Sequence, residues 1–129
     1  MHLSLPALVT ILALALYIAT FLNVGRLRGR FAIQAPAITG PPEFERALRI
    51  QQNTAEQLVW FLPAMWLFVL FVSPLWGGIL GLVWTGGRAF YAISYARDPA
   101  TRGPGFAIAF FSALILLVGA LAGAVVGLL

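Results

Sequence analysis

The chain contains no cysteine and no lysine, a single histidine, and only four acidic residues among 129. Without cysteine there is no disulfide, no thiolate metal site and no cysteine nucleophile, so any thiol chemistry has to use a thiol supplied by the substrate. The lone imidazole, His2, sits at the chain end and is read as solvated, so no metal site is expected. Charged residues make up 9% of the chain and hydrophobic ones 61%, and the charged share is roughly a third of what a soluble globular domain carries. That balance excludes a soluble fold and places the chain in a membrane. At about 20 apolar residues per crossing there is room for four spans with short connections, which predicts an all-α integral membrane four-helix bundle forming one domain over residues 1–129. The net charge of +4 rests on eight arginines. They lie beside or within apolar segments instead of forming a basic arm, so they speak for membrane orientation and against nucleic acid.

The first apolar run lacks a basic leading region and exceeds the length of a signal-peptide core, so it is read as a retained transmembrane helix over residues 3–24. Residues 25–42, GRLRGRFAIQAPAITGPP, are rich in arginine, glycine and proline and are read as a loop at the membrane surface. A second helix is predicted over 43–72, with Glu43 and Glu45 complementing its positive end and Pro63 expected to kink it. Ser73 and Pro74 leave space only for a tight reversal, so a third helix over 75–96 runs antiparallel to the second. A polar connection, RDPATRGPG, leads to a fourth helix over 104–129. Every arginine but Arg88 falls in or next to the two loops on one side. That side is predicted to be cytoplasmic, with both termini opposite. The GxxxG spacings at Gly77 and Gly81 and at Gly119, Gly123 and Gly127 are read as close helix packing.

One segment resists the apolar pattern. In ERALRIQQNTAE, residues 45–56, the side chains Arg46, Arg49, Asn53 and Glu56 recur at helical spacing and form a single polar stripe. An ionisable group near the bilayer centre costs at least ~3 kcal/mol, so something polar has to face this stripe. Arg88, Tyr91 and Tyr95 make a second one-face series on helix three, and the antiparallel arrangement returns it to the depth of Arg49 and Asn53. Arginine grips carboxylates bidentately, Glu56 accepts from an ammonium, and Asn53 serves either kind of group. A peptide-like anion suits that set. Arg88 is expected to be structural, paired with Glu56 or Glu45. Gln51 points about 200° around the helix from Arg49, so it cannot line the same intrasubunit pocket, while a symmetric oligomer would leave it free to line a neighbour's.

The runs TGPPEFERALRIQQNTAE and GRAFYAISYARDPATR resemble the membrane-associated proteins in eicosanoid and glutathione metabolism, nearest to their leukotriene C synthase branch. Gln57 and Gly29 stand where that branch has tyrosine and arginine. The resemblance implies a homotrimer that binds glutathione as co-substrate between subunits. It implies that Arg49, Asn53, Glu56, Tyr91, Tyr95 and Arg102 contact glutathione from one subunit, with Arg28 and Gln51 reaching in from the next, and that Arg102 activates the thiol.

The expected function is a glutathione-dependent transferase or peroxidase acting on a lipophilic electrophile that enters from the bilayer. The alternative is a non-catalytic lipid-binding or scaffold protein on the same fold, which glutathione binding would separate from the enzyme. A transporter or channel subunit fits less well, because the polar stripe is confined to one end and provides no continuous path. Trp60, Trp66 and Trp84 are read as packing or interface residues before they are read as a substrate cleft.

Overall fold

The computed structural model describes residues 2–129, which form four long helices and one short 3-10 turn. In chain order these are α1 (Ser4–Phe31), α2 (Pro42–Phe71), α3 (Pro74–Arg97), the turn at Pro99–Thr101, and α4 (Gly103–Leu128). Three of the helical segments, Ser4–Phe31, Pro42–Phe71 and Pro99–Leu128, are long and apolar enough to cross a membrane. The interior of α3 is diluted by Thr85, Gly86, Gly87 and Arg88. That dilution is tolerated because α3 packs against α1, α2 and α4, with Arg88 buried and Thr85 half-buried.

The expected end of the first helix near residue 24 is corrected by the structure, which carries α1 on to Phe31. Gly25 and Gly29 are compatible with continuation, since neither has a positive φ. Val24, Leu27 and Phe31 recur at helical spacing. Val24 and Leu27 are buried with Phe44 and Ala47, with Phe31 packed against them. Burying that face drives the extra two turns. At 28 residues α1 is about 42 Å long, more than the ~30 Å hydrocarbon core requires, so its arginine-bearing end projects toward the interface. It stops at Ala32, whose φ of 54° is left-handed and whose N–H donates to the Arg28 carbonyl.

Pro42 occupies the first turn of α2, where its missing N–H costs nothing, and Glu43 and Glu45 sit at the positive helix end. The helix continues through Pro63 to Phe71. Ser73 then caps α3, its hydroxyl accepting from Trp76 N at 3.2 Å. At the other end of the bundle, Arg46 Nη1 donates to Ala96 O at 3.5 Å, so the α1–α2 loop and the α3–α4 connection share one side.

The core between these helices is apolar and aromatic. Phe61 and Trp84 stack with centroids 3.9 Å apart, and both are fully buried with Val9, Met65 and Leu116. Trp84 thus packs inside the bundle. Trp60 and Trp66 are partly buried against the same cluster and bond Gln57 Oε1 and Thr10 Oγ1 respectively.

Candidate functional site

Backbone proximity between α3 and α4 sets the site's geometry. A Cβ added at Gly105 would lie 2.5 Å from Tyr91 N and 2.8 Å from Tyr91 Cα, and one at Gly87 would lie 2.9 Å from Ala109 N. Only glycine at both points lets the helices approach this closely. The approach brings Phe106, one residue past Gly105, to a centroid distance of 6.3 Å from Tyr91.

Beside this contact lies a cavity of ≈ 410 Å³ lined by Arg49, Asn53, Tyr91, Tyr95, Arg102 and Phe106. Three segments contribute: Arg49 and Asn53 come from α2, the tyrosines from α3, and Arg102 and Phe106 from the start of α4. The tyrosine rings are 5.6 Å apart, and the Arg102 guanidinium lies 5.9 Å from the Tyr95 ring. Arg102 Nη1 donates to Pro99 O at 3.0 Å, which ties the side chain to the turn before α4. No carboxylate lines the cavity. Two guanidiniums, an amide and two phenols make a lining suited to an anion.

Behind the lining stands Arg88, 1% exposed. Its expected carboxylate partner is corrected. Nη1 donates to Asn53 Oδ1 at 2.8 Å, Nη2 donates to Thr54 Oγ1 at 2.9 Å, and the guanidinium lies 4.1 Å from the Tyr91 ring centroid. The reason is angular. On α2, Thr54 lies about 100° beyond Asn53 while Glu56 lies about 60° back the other way, so a group meeting Asn53 and Thr54 turns from Glu56. Glu45 is engaged elsewhere, accepting from Gly40 N at 3.1 Å.

The remaining candidates are placed elsewhere. Glu56 is exposed and outside the cavity lining. Arg46 lines an adjoining cavity of ≈ 380 Å³ with Pro42, Glu45, Arg49 and Tyr95. Arg28 and Gln51 face a separate groove of ≈ 600 Å³ between α1 and α2, with Phe21, Leu22 and Leu48 among its other walls. Arg28 Nη1 donates there to Ala37 O at 2.7 Å, and its guanidinium lies 5.1 Å from the Phe44 ring centroid. Within one chain, therefore, Arg28 and Gln51 do not meet Arg49 and Asn53. Thr54 and Phe106 were not among the sequence candidates. Thr54 carried one available signal, as a hydroxyl in an apolar segment beside a polar stripe, whereas Phe106 carried none.

Comparison with known proteins matches residues 6–122 to the model of the MAPEG family. An uncharacterized protein of Synechocystis sp. is 48% identical over 116 residues, covering 90% of this chain and 85% of that one. Microsomal glutathione S-transferase 2 of Homo sapiens is 37% identical, covering 78% of this chain and 69% of its own length. Leukotriene C4 synthase of Bos taurus is 38% identical, with coverage of 77% and 66%.

Proposed function

This chain belongs to the MAPEG family, and on that premise we propose that it is a glutathione-dependent transferase or peroxidase acting on lipophilic electrophiles from the bilayer. It is an integral membrane protein, as its long apolar helices and its family both require. The observation that carries the proposal is the carboxylate-free cavity of Arg49, Asn53, Tyr91, Tyr95 and Arg102 at the arginine-rich end of an otherwise apolar bundle.

Glutathione carries two carboxylates, an ammonium and a thiol. Arg49 supplies the bidentate grip on a carboxylate, and Asn53 with the tyrosine hydroxyls completes the polar contacts. Arg102 faces the thiol. A nearby cation favours thiolate over thiol, and the thiolate is the nucleophile. Arg102 directly precedes α4, whose positive helix end acts in the same direction. In conjugation the thiolate forms a carbon–sulfur bond with the electrophile as the displaced group departs with its electron pair.

Glu56, Arg28 and Gln51 enter through assembly. In a homotrimer, the Arg28 and Gln51 face of one subunit lies against the open side of its neighbour's cavity, and exposed Glu56 takes the glutathione ammonium there. Both loops face the cytoplasm in this reading, and the termini face outward. α3 spans the bilayer shielded by its three partners.

The test is glutathione titration of the detergent-purified protein by calorimetry, paired with conjugate formation on a lipophilic halo-aromatic electrophile. Saturable binding with turnover is expected. Absence of glutathione binding would overturn the enzymatic reading and favour a lipid-binding scaffold.

A further inference from the structure

Among the described residues, Arg88 is the only charged side chain in the buried interior, and no carboxylate pairs with it. It lies nine residues, or about 14 Å, inside the C-terminal end of α3. Neutral groups hold it: Asn53 Oδ1, Thr54 Oγ1 and the Tyr91 ring, while Nε has no partner. Thr54 is fixed in turn, because its hydroxyl donates to Ile50 O at 2.7 Å and offers Arg88 a lone pair.

Asn53 is the one of these groups that combines an acceptor with a separate donor, and it also lines the cavity. A guanidinium has donors and no acceptor, so the amide edge turned toward Arg88 has to be the carbonyl oxygen. The NH2 is what remains for the cavity. We infer that Arg88 is a positioning residue: from inside the bundle it locks Asn53 in the amide orientation that gives the cavity a donor and withholds an acceptor. Arg49, Asn53 and Arg102 then present donors alone, and the tyrosine hydroxyls adapt to either role. With the amide reversed, its oxygen would stand beside a bound carboxylate and repel it.

The functional consequence rests on reading the cavity as the glutathione site, whereas the Arg88–Asn53 pairing does not, so two readouts are needed. The first is a double-mutant cycle in thermal unfolding of the detergent-purified full chain: Asn53→Asp and Asn53→Ala, each alone and combined with Arg88→Met. With Arg88 present, Asn53→Asp should unfold at a higher temperature than Asn53→Ala, because its carboxylate still accepts from the guanidinium. Combined with Arg88→Met that advantage should shrink, because the carboxylate loses the buried guanidinium behind it and keeps only the cavity arginines, Arg49 and Arg102. An equal difference between Asn53→Asp and Asn53→Ala in both backgrounds would overturn the pairing.

The second readout is glutathione calorimetry. Asn53→Asp keeps the Arg88 contact but removes the donor and adds a negative charge, so binding should weaken about tenfold or more despite a stable fold. Wild-type affinity in Asn53→Asp would overturn the inference, whether or not Arg88→Met folds. If the wild type itself binds no glutathione, the reading of the pocket fails and the unfolding cycle alone judges the pairing.

Discussion

Arg102 and Arg49 line the same cavity but are suited to different tasks, and that difference can be measured. Arg102 is held by Pro99 O beside Tyr95 at the entrance to α4, whereas Arg49 projects from α2 two turns inside its N-terminus. If Arg102 stabilises the thiolate and Arg49 anchors a carboxylate, Arg102→Ala should raise the pKa of bound glutathione while retaining most of its affinity. Thiolate absorbance against pH, compared with calorimetry, reads both quantities, and an unchanged thiol pKa would remove Arg102 from the chemistry. A stability prediction concerns Ala32. Its left-handed φ of 54° costs an L-residue about 1–2 kcal/mol that glycine does not incur, so Ala32→Gly should raise Tm. At this scale the sequence was informative about faces and silent about partners. Steps of three and four residues suffice to align Arg49 with Asn53 and Tyr91 with Tyr95, because those steps are a property of the helix itself. Which residue of a stripe meets Arg88 depends on how α2 is rotated about its axis, and that rotation is set by packing. The choice of Asn53 and Thr54 over Glu56 was therefore hidden.

The element scale shows where local reading of composition falls short. GRLRGRF contains two glycines and three arginines, and in isolation it is a poor helix. It is helical because Leu27 finds Phe44 across the connection, a contact between segments that no local window contains. The approach of α3 to α4 was hidden for a similar reason. Gly87 and Gly105 lie on different helices, so their pairing has no sequence spacing, whereas the GxxxG series marks single faces. Those faces differ among themselves: a Cβ at Gly81 would meet Met65 Sδ at 2.6 Å, while one at Gly127 would meet nothing within 4 Å. The close approach gives a paired prediction. Gly105→Ala forces α4 away from the Tyr91 backbone and should cost about 1–3 kcal/mol. Because Arg102 and Phe106 flank that point, glutathione affinity should fall with it. Gly86→Ala, where a Cβ meets nothing within 4 Å, should leave affinity unchanged and stabilise the helix by up to about 1 kcal/mol. Thermal unfolding and calorimetry on the two variants provide the comparison, and equal behaviour would dismiss the glycine contact as a determinant of the site.

At the scale of the whole molecule, α2 presents two polar faces that one chain cannot bring together. Arg49 and Asn53 line one cavity, while Gln51 lies with Arg28 in the groove toward α1. The homotrimer proposed above would resolve this by setting the second face of each subunit against the first face of its neighbour in a closed ring. The arrangement makes a demand that an intrasubunit site does not. Arg49→Ala and Gln51→Ala, expressed separately, should each damage every site, because each homotrimer lacks one half of the constellation throughout. Expressed together in equal amounts, they form mixed rings in which some interfaces pair the intact Arg49 face of one subunit with the intact Gln51 face of the other. Random assembly restores about a quarter of the sites to wild-type composition. Glutathione-dependent turnover of co-expressed protein should therefore recover well above either variant alone, and a mixture of the two proteins purified separately should not recover without subunit exchange. If co-expression gives only the average of the two single variants, the site lies within one subunit and the trimer is not part of its chemistry.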